Sequence, residues 1–304
     1  MSALRALTVD PTPERPGPGQ MPEALLRALE LSIGRRVDGL LAGDHRSALL
    51  GRGSELAQVR PYVPGDDVRL IDWNVTARTR VPHVRAHLAE RVLVTWVVLD
   101  RTPSMAFGTA DRRKDDVALG VALALGHAAS VRGNRVGLVA FGDGPSTPLP
   151  PRQGRAGLVG VWSALREGGG GVAPELAGAL AGVGAAARQR ALVALVSDFR
   201  GPLDWQAGLL DLAGRHDVLA VEIRDPREGV LEDIGEVWFA DPESGERVRV
   251  DTSDARLRQR FAEAAAMERR TVATALARVG ASHVVLSTDG DWLRELAVHL
   301  RMLR

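Results

Sequence analysis

At 304 residues the chain is long enough for about two domains, or for one large α/β domain with an appendage. Hydrophobic residues at 45% and charged residues at 25% exclude a mainly disordered or membrane-embedded chain, and a net charge of +1 supplies no global drive towards nucleic acid or anionic lipid. The absence of cysteine excludes disulfides, thiolate catalysis, iron–sulfur clusters and cysteine-ligated zinc, and fits a reducing compartment.

Residues 1–20 carry Pro11, Pro13, Pro16 and Pro18 and few large apolar side chains, so a flexible tail is expected. They contain no 7–15-residue apolar stretch of the kind a signal peptide has, and Val92–Leu99 and Leu192–Val196 fall far short of the ~20 residues of a membrane helix. A soluble, cytoplasmic protein with no membrane insertion is expected. Residues 21–90 read as an N-terminal helix and a small β-rich subdomain. Leu25, Leu26, Leu29, Ile33, Val37, Leu40 and Leu41 recur at helical spacing, and QVRPYV, VRLIDW and PHVRAHL are extended pieces separated by turn signals such as Pro64-Gly65-Asp66.

Residues 91–304 read as one α/β domain. VLVTWVVLD, ending at Asp100, has the unbroken apolar, β-branched character of a strand covered on both faces. There follow a helix over Lys114–Arg132, a strand over Arg135–Phe141, and helices near Gly157–Leu165 and over Pro174–Arg188. Then come a strand over Leu192–Val196, a helix over Leu203–Ala213 and a strand over Val218–Ile223. A hairpin over 235–251 precedes a helix over Asp254–Val279, a strand over His283–Leu286 and a last helix from Asp291. This alternation predicts right-handed crossovers and a doubly wound, mostly parallel sheet of Rossmann type.

The loop Asp100-Arg101-Thr102-Pro103-Ser104-Met105 leaves the carboxyl end of the first central strand, where doubly wound sheets bind ligands. A carboxylate and two hydroxyls at alternate positions are hard oxygen ligands suited to Mg²⁺ or Mn²⁺, with waters completing the octahedron. The same residue types also turn a chain and cap a helix. A second strand, ALVALVSDF, ends in Ser197-Asp198, and carboxylates at the ends of two neighbouring strands would converge at the rim.

Other candidates carry less. Asp66, Asp67 and Asp72 in GDDVRLIDW read as a structural network with Arg60, Arg69 and Arg78, in preference to a second cation site. Gly168–Gly171 has no Gly-Lys-Ser/Thr, and Lys114, the only lysine, fits no phosphate-binding loop. Phe141-Gly142-Asp143-Gly144 reads as a turn after a strand. The seven histidines show no metal-ligand spacing.

DRTPSM after a buried strand, with Ser197-Asp198 after a later one, resembles the metal-ion-dependent adhesion site of von Willebrand factor A-like domains. Upstream, Gly53-Ser54-Glu55, Arg60, Tyr62, Gly65-Asp66-Asp67, Arg69, Asp72-Trp73 and Ala77-Arg78 resemble the signature of the bacterial family known as domain of unknown function fifty-eight. The likeness continues through Phe107-Gly108, Val196–Phe199, Asp225-Pro226, the Asp241–Glu246 turn and Arg301, over most of residues 43–304. The resemblance implies a von Willebrand factor A-like fold. It also implies a metal held by Asp100, Thr102, Ser104 and Asp198, with an acidic residue of a partner completing the metal shell. It implies a non-enzymatic interaction module, an adaptor or cofactor of a MoxR-type AAA+ ATPase in protein-complex assembly or maturation. Two positions depart from the family pattern. Thr102 replaces a serine but keeps the hydroxyl, and Pro174, with Glu175 beside it, stands where a second-loop threonine is usual. The alternatives are a metal-free scaffold and a Mg²⁺-dependent phosphohydrolase. The latter chemistry needs an Asp where Thr102 stands and a lysine to hold the phosphoryl group.

Overall fold

The structure is a computed structural model and describes residues 17–20, 23, 24, 27, 55–88, 94–131, 133–144, 148–154, 157, 160, 171–172, 175–240 and 246–302. The expected helix from Pro22 is helical at residues 23, 24 and 27; its remainder, and most of the helix expected near Gly157–Leu165, lie outside the described residues. The chain divides into two units, residues 39–92 and residues 1–38 with 93–304.

The smaller unit is built on an antiparallel pair, β1 (Glu55–Pro61) with β2 (His83–Leu88). Between them lie a 3-10 turn at Val68–Leu70 and the short helix α1 (Trp73–Thr79). Part of the expected charge network is seen among the described residues: Arg60 grips Asp66 through two bonds of 2.7 and 2.8 Å. Asp67 and Asp72 also serve as N-caps. Asp67 accepts from the Arg69 amide at 3.0 Å, and Asp72 Oδ1 accepts from the Asn74 and Val75 amides at 3.0 and 3.1 Å. Asp and Asn are favoured at these positions because a short side chain reaches the free amides of the first turn. Asp72→Ala is therefore expected to cost at least the value of a buried cap, about 1–2 kcal/mol, in urea denaturation of the whole chain; no measurable loss would show that the cap contributes nothing.

In the larger unit a six-stranded sheet runs in the order β12-β9-β8-β3-β4-β6. Its strands are β3 (Val94–Asp100), β4 (Arg135–Phe141), β6 (Leu149–Gln153), β8 (Ala191–Ser197), β9 (Asp217–Arg224) and β12 (Ser282–Ser287). The two-residue strands β5 (Asp143–Gly144) and β7 (Gly171–Val172) pair with each other. All sheet neighbours are parallel except β4 and β6. This is the mixed α/β architecture with a mostly parallel central sheet. β6 has no counterpart among the predicted elements: it contains Pro150 and Pro151, which supply no N–H to a ladder and are tolerated because β6 is an edge strand.

Helices cover both faces. β3 and β8 are buried along their whole length, as the unbroken apolar runs require. On one side Trp96, Val98, Val193, Leu195 and Ala220 pack with α3 (Leu176–Ala186), α4 (Trp205–Arg215) and the C-terminal half of α5 (Ala255–Arg278). On the other, α2 (Lys114–Val131) crosses β3, β4, β8 and β9, and α6 (Trp292–Met302) packs against α2 and β12. The expected hairpin forms as β10 (Glu236–Ala240) paired with β11 (Arg247–Asp251).

Residues 17–20 depart from the expected flexible tail. The buried Trp292 donates from Nε1 to the Pro18 carbonyl at 3.0 Å. Gly120 of α2 makes room for this contact, since a Cβ there would lie 2.5 Å from the Trp292 ring and 3.0 Å from Pro18. The reason is partnership: the indole N–H at this depth needs an acceptor. Removal of residues 1–20 is expected to cost about 1–2 kcal/mol relative to removal of residues 1–16, because the indole loses its partner. Equal melting temperatures for the two truncations would show that the Pro18 contact contributes nothing.

Candidate functional site

In this topology the chain runs outward from β3 through β4 to β6 and then returns to place β8 on the other side of β3. The switch point therefore lies between β3 and β8, whose parallel register pairs Leu99 with Val196. Ligand crevices of open α/β sheets form there because the two following loops diverge to opposite faces.

Asp100 ends β3 and is 4% exposed. Its Oδ1 accepts from the Thr102 amide at 2.9 Å and from Thr102 Oγ1 at 2.7 Å. Thr102 Oγ1 and Ser104 Oγ lie 3.0 Å apart. Pro103 opens a 3-10 turn over Pro103–Ala106, a first-turn position where its missing N–H leaves no bond unmade. The loop is pressed against the end of β4: Arg101 donates to the Phe141 carbonyl at 2.9 Å, and a Cβ on Gly142 would sit 2.5 Å from the Thr102 nitrogen. Gly142, at φ +88°, thus combines a backbone conformation and a close approach that only glycine accommodates.

The second loop locks onto the first. Ser197 Oγ donates to Asp100 Oδ2 at 2.5 Å and accepts from the Phe199 amide at 2.9 Å. Asp198 Oδ1 accepts from the Arg200 amide at 3.0 Å. Phe199 holds a left-handed φ of 55°, and its buried ring meets Trp205 edge-on at 5.4 Å. Non-glycine residues in this region are strained by about 1–3 kcal/mol and persist only where packing over-determines them.

Of the four expected ligands, the structure brings Asp100, Thr102 and Ser104 into one hydrogen-bonded turn and places Asp198 on the adjoining strand end. Glu175 stands exposed at the N-cap of α3, and Pro174 lies outside the described residues.

Sequence reasoning missed Lys114 and Glu228. Lys114, fully buried at the start of α2, places Nζ 2.6 Å from Asp198 Oδ2 and 2.6 Å from Glu228 Oε1. Glu228 is itself anchored, because its Oε2 accepts from the Asp225 amide at 3.0 Å in a capping box. Asp225 ties three segments together: it accepts from the Thr109 amide at 2.7 Å, the Thr109 hydroxyl at 2.5 Å, the Thr288 hydroxyl at 2.7 Å and the Arg227 amide at 3.0 Å. Burial opposes its ionisation, but these bonds outweigh it and hold the carboxyl below the usual range. A lysine embedded in Arg112–Asp116 gave no signal of a buried role; the only clue was that a chain rich in arginine keeps one lysine.

The ion pairs fall on Asp198 and Glu228, whereas Asp100 is served by two hydroxyls and an amide. Burial, then the neighbouring Asp198 charge, push Asp100 up to about 6. A buried carboxylate short of positive charge, set among hydroxyls, is the electrostatic setting a divalent cation would relieve. Among the described residues no three His, Asp or Glu side chains gather at one point. A cation at this rim would rest on Asp100, Thr102, Ser104 and Asp198 with waters, a hard-oxygen set that fits Mg²⁺ or Mn²⁺. Beside Ser104 and Lys114 opens a cleft of about 950 Å³, walled by Phe107, Phe239, Val248 and Phe261.

Among the described residues no helix is long and apolar enough to cross a membrane. Two solved structures are similar at low level. The hypothetical protein BatB of Bacteroides thetaiotaomicron is 12% identical, with a TM-score of 0.45 over 69% of this chain and 98% of that one. A protein of Bacteroides fragilis described as an aerotolerance-related membrane protein is 12% identical, with a TM-score of 0.43 over 69% and 97%. Uncharacterized proteins of Mycobacterium tuberculosis and Mycobacterium bovis are each 42% identical over 90% of this chain and 87% of their own length. The family model described as protein of unknown function DUF58 matches residues 58–271, covering the rim loops, Lys114 and Glu228, and the chain belongs to that family.

Proposed function

We propose that the rim between β3 and β8 is a divalent-cation site of the metal-ion-dependent adhesion type on a von Willebrand factor A-like domain, and that the chain is a non-enzymatic interaction module. In this reading Mg²⁺ or Mn²⁺ leaves one coordination position for an acidic residue of the partner. The partner is a MoxR-type AAA+ ATPase, which the chain serves as an adaptor in the cytoplasm; that assignment rests on the resemblance of the motifs. The observation that carries the site is the 2.5 Å bond from Ser197 Oγ to Asp100 Oδ2, which joins the two loops on whose convergence the reading depends. The apolar cleft beside the rim offers a partner segment a surface to bury.

The phosphohydrolase alternative gains a lysine at the rim but not a usable one. The Lys114 ammonium is held by two carboxylates and fully buried, and the Thr102 hydroxyl, engaged with Asp100, is too weak an acid to act as the general acid. No hydrolysis of a generic aryl phosphate is expected with Mg²⁺ present.

Asp100→Ala is expected to abolish most divalent-ion affinity, and Ser104→Ala to weaken it less, because Asp100 is the only full negative charge in the first loop. Mn²⁺ titration calorimetry on the whole chain reads both. In pull-downs with the ATPase, EDTA and Asp100→Ala should weaken the complex alike. Capture undiminished in both would rule out recognition through the metal.

A further inference from the structure

We infer that Lys114 is the resident counter-cation of the rim, which competes with the divalent ion for Asp198 and thereby sets the concentration at which metal binds. The inference rests on the cation-site reading above and adds a residue that reading does not use.

Two facts identify Lys114 as the competitor. It is the only lysine in the chain and is fully buried, so its charge has no solvent to fall back on. Its Nζ takes the Asp198 oxygen left over once Oδ1 has accepted the Arg200 amide, at 2.6 Å. Each Asp198 oxygen thus already has a donor, and a metal or its water must compete with the ammonium for Oδ2. Bringing a second, doubly charged cation to the same carboxylate also adds repulsion in a setting where screening is weak.

Glu228 makes the exchange possible. A buried ammonium deprived of its only partner would be strongly disfavoured. Lys114, however, holds Glu228 Oε1 at 2.6 Å as well, and the capping box fixes Glu228 through its other oxygen. When metal takes Asp198, Lys114 can stay on Glu228, under the Phe107 ring whose centroid lies 5.9 Å from Nζ. Arg200 Nε, 3.5 Å from the same Glu228 oxygen and half-exposed, can withdraw into water as the ammonium settles there. Asp198 thus has two alternative cations, and Glu228 receives whichever charge the metal displaces.

A single lysine gives a single reporter. In the whole chain labelled with ¹³C,¹⁵N-lysine, the one Cε–Hε resonance should move on addition of Mg²⁺, with the midpoint at which Mg²⁺ displaces Mn²⁺ in calorimetry. Lys114→Met, which keeps the length and removes the charge, should bind Mn²⁺ at least tenfold more tightly than wild type. If that variant is unfolded in EDTA, Mn²⁺ should refold it. Mn²⁺ binding to wild type with a static lysine resonance, or equal affinity in wild type and Lys114→Met, overturns the inference while the cation site stands. No Mn²⁺ binding by either protein at millimolar concentration overturns the cation site itself, and the inference with it.

Discussion

Lys114→Ala is expected to destabilise the metal-free protein by about 3–5 kcal/mol, the range found when one partner of a buried ion pair is removed and the other charge is left behind. Here two carboxylates lose their shared cation: Asp198, which is 3% exposed at its side chain, and Glu228, at 13%. Arg200 can compensate Glu228 only in part, since it lies 3.5 Å away and is 45% exposed. The loss is in the charges more than in the packing. Lys114→Met combined with Asp198→Asn and Glu228→Gln should therefore recover most of the stability lost by Lys114→Ala, as neutral groups of similar shape carry no stranded charge. Urea denaturation in EDTA reads both variants. A loss below about 1 kcal/mol for Lys114→Ala would place this group with exposed, weakly contributing pairs.

Asp100→Asn is expected to stabilise the metal-free protein at pH 8 and to leave it slightly less stable than wild type at pH 4, where only the altered bond to Ser197 counts. Burial and then Asp198 raise the folded Asp100 to about 6 from an ordinary 3.8, so ionising it in the folded state is the unfavourable step. Between those two values the folded protein keeps a proton that the unfolded chain has released, and wild-type stability falls as pH rises through that window. Asparagine does not titrate. The gap between variant and wild type should open above pH 4 and level off above about pH 6 at roughly 3 kcal/mol, less about 1 kcal/mol for the altered bond to Ser197. Saturating Mg²⁺ should reverse the order by stabilising only wild type. A pH-independent difference between the two proteins in EDTA would show that Asp100 ionises in the folded state as freely as in water.

The two rim loops and the lysine cluster differ in how much of them the sequence reveals. The apolar runs ending at Asp100 and Ser197 announce buried strands, because a strand covered on both faces has no polar period to display. Their carboxyl ends announce candidate ligands, since a parallel sheet puts every such end on one rim. The hairpin over 235–251 and the helices α2 and α5 were readable for the same local reason: periodicity and turn chemistry lie within a few residues of each other.

What local pattern could not reach was pairing over distance. Lys114 meets a carboxylate 84 residues on and another 114 residues on, and Asp225 meets Thr109 across 116 residues. Pro18 serves Trp292 across 274. Arg60 grips Asp66, and Asp67 and Asp72 each accept from backbone amides of a first turn, although all three carboxylates looked alike in sequence. By itself the sequence determined which segments are buried and which strand ends carry carboxylates and hydroxyls, because burial is written in each segment's own polarity. Only the tertiary structure decided which cation faces which carboxylate, because that depends on the strand order bringing β3, β8 and β9 side by side and on the cost of leaving any charge buried without a partner.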